Sequence, residues 1–242
     1  MNIWSIILLA FIAEGIGVLI GIVLYYLFNI KSQRLIGMLF GVTSGIMISM
    51  ICFDVLPHAT EAGENGLMVI GVVIGILIGL FLEDLTSLLG SGIKGNKSKQ
   101  MHTGLMLLLG IAIHNVPEGI AMGTLGVTSP ETIMQFAFVI CIHSIPEAIA
   151  IAIPLKAART PSKIVWSIPL VLGCIMGIGG GIGFMMSQIA SNFITLILGL
   201  AAGIILYIVC EELIPESRKI WNGRMTTVAT IIGIILGMLL VG

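Results

Sequence analysis

Long apolar runs, each broken by a few single polar positions, set the plan of this chain. A helix that spans a membrane needs about 20 mainly apolar residues, and eight stretches qualify, at roughly 3–28, 35–57, 66–84, 103–125, 132–155, 164–186, 193–214 and 225–241. The expected fold is all-α and integral to a membrane, a single transmembrane domain over residues 1–242 with eight spans and short connections. The longest connection, "TSLLGSGIKGNKSKQ" from Thr86, is rich in Gly, Ser and Lys and reads as a flexible surface loop. The first run lacks a positive leader and exceeds the roughly 7–15 apolar residues of a signal-peptide core, so it reads as a retained first span.

Composition and charge sharpen this picture. Of 242 residues 57% are hydrophobic and 10% charged, with a mean hydropathy of +1.15, far from the roughly 25% charged residues of soluble domains. The net charge is −1 and no basic stripe is present, which argues against nucleic acid as a partner. All 11 Lys and Arg residues follow spans one, three, five and seven, whereas the opposite loops carry Glu61, Glu64 and Glu131. Because short cytoplasmic loops hold the positive excess, both termini are expected outside the cytoplasm, in a multi-pass protein of the plasma membrane. Cys52, Cys141, Cys174 and Cys210 show no CxxC spacing and are expected to be small buried hydrophobes.

Two pairs of spans resemble each other. "GIMISMICFDVLPH" (45–58) set above "GIILYIVCEELIPE" (203–216) aligns Gly45 with Gly203, Ile46 with Ile204, Cys52 with Cys210, Asp54 with Glu212 and Pro57 with Pro215. By the charge-derived topology these spans run in opposite directions. Spans four and five repeat each other in the same inverted manner, through His114 and His143, Pro117 and Pro146, Glu118 and Glu147. Three spans, two central spans and three more, built from inverted repeats, make an architecture common among secondary transporters.

The polar positions of the central spans carry the candidate chemistry. His114 and Glu118 in "IAIHNVPEGIAMG" stand at i and i+4, as do His143 and Glu147 in "ICIHSIPEAIAIA", so each pair projects from one helix face. Proline three residues after each histidine has no N–H and leaves the carbonyls of Ile113 and Ile142 without their helical donors. Two imidazoles with two carboxylates form an N₂O₂ set suited to a divalent ion such as Zn²⁺, Fe²⁺ or Mn²⁺, and Asn115 and Ser144 could add an oxygen or hold a water. An acid at the bilayer centre costs roughly 2.5–3.5 kcal/mol on insertion scales, and such residues usually mark ion or substrate paths. Asp54 and His58 on one side, and Glu211 and Glu212 on the other, are candidates for an entry and exit path. Glu14, within span one, admits two readings, a hydrogen-bonded structural carboxylate or a pathway residue. Gly71, Gly75 and Gly79 could line a homodimer contact or an internal one.

At these residues the chain resembles the ZIP (Zrt-, Irt-like) family of divalent metal transporters, in particular its short bacterial branch. The paired "HNVPEG" and "HSIPEA" motifs carry the resemblance, which extends over nearly the whole chain. It implies eight spans and a metal path through spans four and five, with His114, Asn115, Glu118, His143 and Glu147 in the ligand positions and the ion carried toward the cytoplasm. Members often have a second metal position that uses an Asn or Asp in span five and an acid in span six. Here span five offers Ser144 and span six has no acid, so the resemblance does not extend to a two-metal centre.

The function expected is secondary transport of a divalent transition metal, zinc first, with Fe²⁺, Mn²⁺ and Cd²⁺ as further cargo. Partners are the metal and membrane lipid; no prosthetic group and no enzymatic activity are expected, and no nucleotide-binding GxxxxGK[ST] loop is present. The alternatives are an intramembrane metalloenzyme or a metal-gated sensor that uses the same His/Glu site.

Overall fold

The computed structural model describes residues 1–28, 32–92, 99–128, 130–189 and 191–241. Within its helices the side chains of Glu83, His102, His114 and Glu212, among others, lie outside the described residues. The elements are α1 (Ile3–Phe28), α2 (Gln33–Met50), a π turn (Ile51–Val55), α3 (Leu56–Ala62), α4 (Asn65–Gly92), α5 (Lys99–Thr128), α6 (Pro130–Ala157), α7 (Ser162–Ser187), α8 (Ser191–Ile208), a second π turn (Val209–Leu213), α9 (Ile214–Ile220) and α10 (Arg224–Val241). No strand occurs among the described residues. Among the described residues, six helical segments are long and apolar enough to cross a membrane, and the apolar stretches Asn65–Phe81 and Arg224–Leu240 are shorter. The protein is thus an all-helical, multi-pass membrane protein by length and composition.

Two boundaries differ from expectation. The segment from Thr86, expected to be a loop, continues α4 to Gly92, and α5 starts at Lys99 rather than near 103; residues 93–98 lie outside the described residues. Composition alone suggested a loop, but no proline interrupts that stretch, and Leu88 and Leu89 are good helix formers. The cysteines also differ. Cys52, Cys174 and Cys210 are exposed and Cys141 is intermediate, all four as free thiols. An apolar segment in a membrane protein has a lipid-facing side as well as a core side, so apolar neighbours in sequence do not imply burial.

The helices sort into a core and two flanking pairs. α1, α5, α6 and α7 pack on one another, while α2 pairs with α10 and α4 with α8. The flanks join the core where α2 meets α6 and α8 meets α5. Glycines permit the close pairings. A shift of 158 residues, Gly45 to Gly203, also carries Gly75 to Gly233, and the contacts exchange accordingly: Gly45 lies against Gly233, and Gly75 against Gly203. Gly71 and Gly79 face Leu196 and Tyr207 on the same partner helix, so the glycine row of span three lines an internal contact. A Cβ on Gly203 would meet the backbone of Val72, which cannot swing aside like a side chain. Gly203→Val is expected to part α4 from α8 and to cost at least about 1–3 kcal/mol, the range typical of overpacking. A lower thermal midpoint in detergent would register it.

The π turns follow from proline. Pro57 and Pro215 have no N–H to offer the carbonyl four residues back. The chain widens locally instead, with the Leu56 N–H donating to the Ile51 carbonyl and the Ile214 N–H to the Val209 carbonyl, five residues back in each case. The same shift that pairs the glycines carries Ile51 to Val209, so both rods widen at matched positions. By contrast Pro117 and Pro146 lie inside the uninterrupted helices α5 and α6.

Candidate metal site

One turn of α5 and one of α6 carry the buried polar groups. Asn115, Glu118, His143 and Ser144 are fully buried and Glu147 nearly so. His143 Nδ1 lies 3.1 Å from the carbonyl oxygen of Val139, one turn back on α6. That carbonyl can only accept, so the Nδ1–H donates to it and the lone pair of the neutral ring falls on Nε2. Nε2 in turn stands 3.5 Å from Glu118 Oε2, across the α5–α6 contact.

This geometry leaves unused bonding capacity in a buried place. His143 Nε2, both carboxylate oxygens of Glu118 and Asn115 Oδ1 have no hydrogen-bond partner among the described residues. Buried polar atoms normally find partners, and orphaned ones are costly. A nitrogen and a carboxylate oxygen that face each other without partners suit a cation that accepts mixed N/O ligands. Glu14, Glu118, Glu147 and His143 are close enough to act on one another electrostatically.

Glu14 contributes what its sequence position did not disclose. Fully buried on α1, it accepts hydrogen bonds from Asn115 Nδ2 at 2.8 Å and from Ser144 Oγ at 2.6 Å. Ser144 Oγ also lies 2.7 Å from the Ile140 carbonyl oxygen. Glu14 is thus a hydrogen-bonded carboxylate, held by the very residues that follow the two histidines. The contacts cross 101 and 130 positions of sequence, so no local spacing signals them.

The remaining candidates lie apart from this cluster. Asp54 sits buried in the first π turn and its Oδ2 has no hydrogen-bond partner among the described residues. His58 Nδ1 lies 2.8 Å from the Asp54 carbonyl oxygen and 3.3 Å from Asp54 Oδ1, and its Nε2 is 3.2 Å from Thr132 Oγ1. His58 thereby ties α3 to the first turn of α6, and Thr132 is a partner that sequence reasoning missed. Glu211 is exposed on the second π turn, whereas the side chains of Glu212 and His114 lie outside the described residues. Among the described residues, which lack His114, no three His, Cys, Asp or Glu side chains form a ready metal cluster. What the structure brings together is Glu118 with His143, and Glu14 with Asn115 and Ser144.

Comparison with known proteins gives this geometry a context. The family described as ZIP zinc transporter matches residues 90–242, which contain both histidine motifs. The zinc transporter ZupT of Corynebacterium glutamicum is 30% identical, over 96% of this chain and 93% of its own. ZupT of Stenotrophomonas maltophilia is 26% identical over 98% and 93%, and ZupT of Escherichia coli 29% over 89% and 88%. These are names of transporters, and they lend nothing to the metalloenzyme and sensor readings. With a family match that holds the buried His/Glu pair and relatives aligned along nearly its whole length, the chain belongs to the ZIP family of zinc transporters.

Proposed function

We propose that this protein moves divalent transition-metal ions, zinc first, across the plasma membrane into the cytoplasm through a site formed by His114, Asn115, Glu118, His143 and Glu147, with Ser144 beside it. The observation that carries the reading is the pair of Glu118 and His143, fully buried, 3.5 Å apart, with no hydrogen-bond partners for the facing atoms. Two carboxylates and neutral imidazoles match a plus-two ion in charge, and the fixed Nδ1–H of His143 keeps its Nε2 lone pair available for it. Asp54 and His58 would gather the ion outside, and Glu211 and Glu212 would receive it within. Fe²⁺, Mn²⁺ and Cd²⁺ are cargo of the same chemistry.

The transport reading carries an arrangement with it: eight spans as three, two and three, the outer sets related as inverted repeats, with both termini outside. Three observations support it. Contacts exchange under the shift that pairs Gly45 with Gly203, and the two π turns fall at matched positions. The basic residues also gather with aromatics: Arg34 lies over Trp221, Lys156 over Tyr25 and Tyr26, and Tyr26 stacks on Trp166. Cations and Trp/Tyr rings at one end of a bundle fit a cytoplasmic membrane interface.

Flux into sealed proteoliposomes with an internal metal indicator tests the proposal. Saturable Zn²⁺ entry is expected, with little Mg²⁺ entry, because Mg²⁺ holds its waters and prefers an all-oxygen octahedron. Correctly inserted protein that passes none of Zn²⁺, Fe²⁺ and Mn²⁺ would overturn it.

A further inference from the structure

We propose that Glu14 is a positioning residue for the metal: it clamps the Asn115 amide so that Oδ1, and not the NH₂ group, faces the ion. The inference rests on the zinc-site reading above and adds a residue of α1 to it. An asparagine offers an oxygen at one end of its amide and a donor at the other, and only the oxygen can ligate a cation. Left to itself the amide can turn either way. Glu14 Oε1 accepts from Asn115 Nδ2 at 2.8 Å, which fixes the turn and leaves Oδ1 buried without a partner among the described residues. The ligating end is thus selected from behind, as carboxylates hydrogen-bonded to metal-bound histidines select the orientation of those rings.

Ser144 completes the clamp rather than the ligand set. Its hydroxyl lies 2.6 Å from Glu14 Oε2 and 2.7 Å from the Ile140 carbonyl, so its one hydrogen is shared between these two acceptors and the shorter contact holds Glu14. Both carboxylate oxygens of Glu14 are therefore engaged, one by Asn115 and one by Ser144. Glu14 acts through Asn115 and does not touch the ion. The device is one-sided: the shift that pairs the repeats carries Glu14 to Leu172, a fully buried hydrophobe of α7.

Zinc affinity, measured by competition with a chelating dye on purified full-length protein, tests the clamp alongside thermal unfolding of each variant. Glu14→Ala frees the amide to turn and is expected to weaken zinc binding roughly 10-fold or more, within the range that loss of an outer partner costs. Glu14→Gln can still accept from Asn115 and donate to Ser144, and is expected to lose about threefold at most. Asn115→Asp alone sets two carboxylates face to face and weakens binding, but an aspartate presents oxygen either way, so Glu14→Ala with Asn115→Asp is expected to bind more tightly than Glu14→Ala. Such non-additivity marks residues that act through each other. A Glu14→Ala protein that melts lower but binds zinc as wild type would make the residue merely structural. Glu14→Gln as weak as Glu14→Ala, with no recovery in the double variant, would mean that charge and not orientation matters; either result overturns the clamp. Should Glu14→Ala fail to insert, Glu14→Gln and Asn115→Asp decide: the first near wild type and the second weakened supports the clamp, equal weakening overturns it. Wild-type protein that binds no zinc would overturn the function reading itself.

Discussion

Glu118→Ala is expected to abolish saturable zinc entry while leaving the protein inserted in the membrane. Glu118 is fully buried on α5 and its carboxylate faces His143 Nε2 at 3.5 Å with no hydrogen bond to either oxygen among the described residues. Such a group contributes little to holding the helices together and much to receiving a cation. In the proposed site its removal would take away a direct donor and half of the paired negative charge, so the loss should exceed the roughly 10–100-fold that outer partners cost in metal sites. Glu118→Gln, which keeps the volume and discards the charge, should fail as well. Flux in proteoliposomes with insertion checked by protease protection separates loss of transport from loss of fold. Undiminished zinc entry in either variant would place the site elsewhere.

Zinc binding is expected to weaken steeply as pH falls from about 8 to about 5, the interval in which imidazole takes up its proton. The sign follows from the geometry. With Nδ1–H donated to the Val139 carbonyl, the next proton must land on Nε2, the atom that would hold zinc. Once there it points at Glu118 Oε2, and the resulting ion pair fills the place of the metal. Proton and metal therefore compete, and binding releases protons. Each displaced proton lowers the affinity by up to about 10-fold per pH unit below the imidazole range, so two ligating histidines could give about 100-fold. Competition titrations across this interval measure the slope, and His143→Gln should reduce it by about one proton. A flat profile would argue against imidazole ligation.

Both expectations rest on residues visible in sequence. His114, Glu118, His143 and Glu147 stand out as candidates because helical periodicity puts i and i+4 on one face, and because acids in apolar runs are costly enough to need a purpose. The long apolar runs likewise foretold helices, since a spanning backbone must satisfy its own hydrogen bonds. The likeness of "GIMISMICFDVLPH" to "GIILYIVCEELIPE" anticipated two rods of one design, and Pro57 and Pro215 marked where both widen. Where periodicity gave no purchase the reading failed. Thr86 to Gly92 looked like loop by composition but prolongs α4, and three of the four cysteines lie on the outside of the bundle.

By itself, then, the sequence determined the helical membrane class, the polar His/Glu faces of α5 and α6 and the position of the prolines, because each depends on hydropathy or on spacings within one helix. Only the tertiary structure decided that α1 lies against α6 closely enough for Glu14 to meet Asn115 and Ser144, that Thr132 meets His58, and that the glycines of α4 face α8. Those contacts join residues far apart along the chain, and they depend on which helix faces pack together. Periodicity within one helix shows that it has a polar face, and packing selects what that face meets.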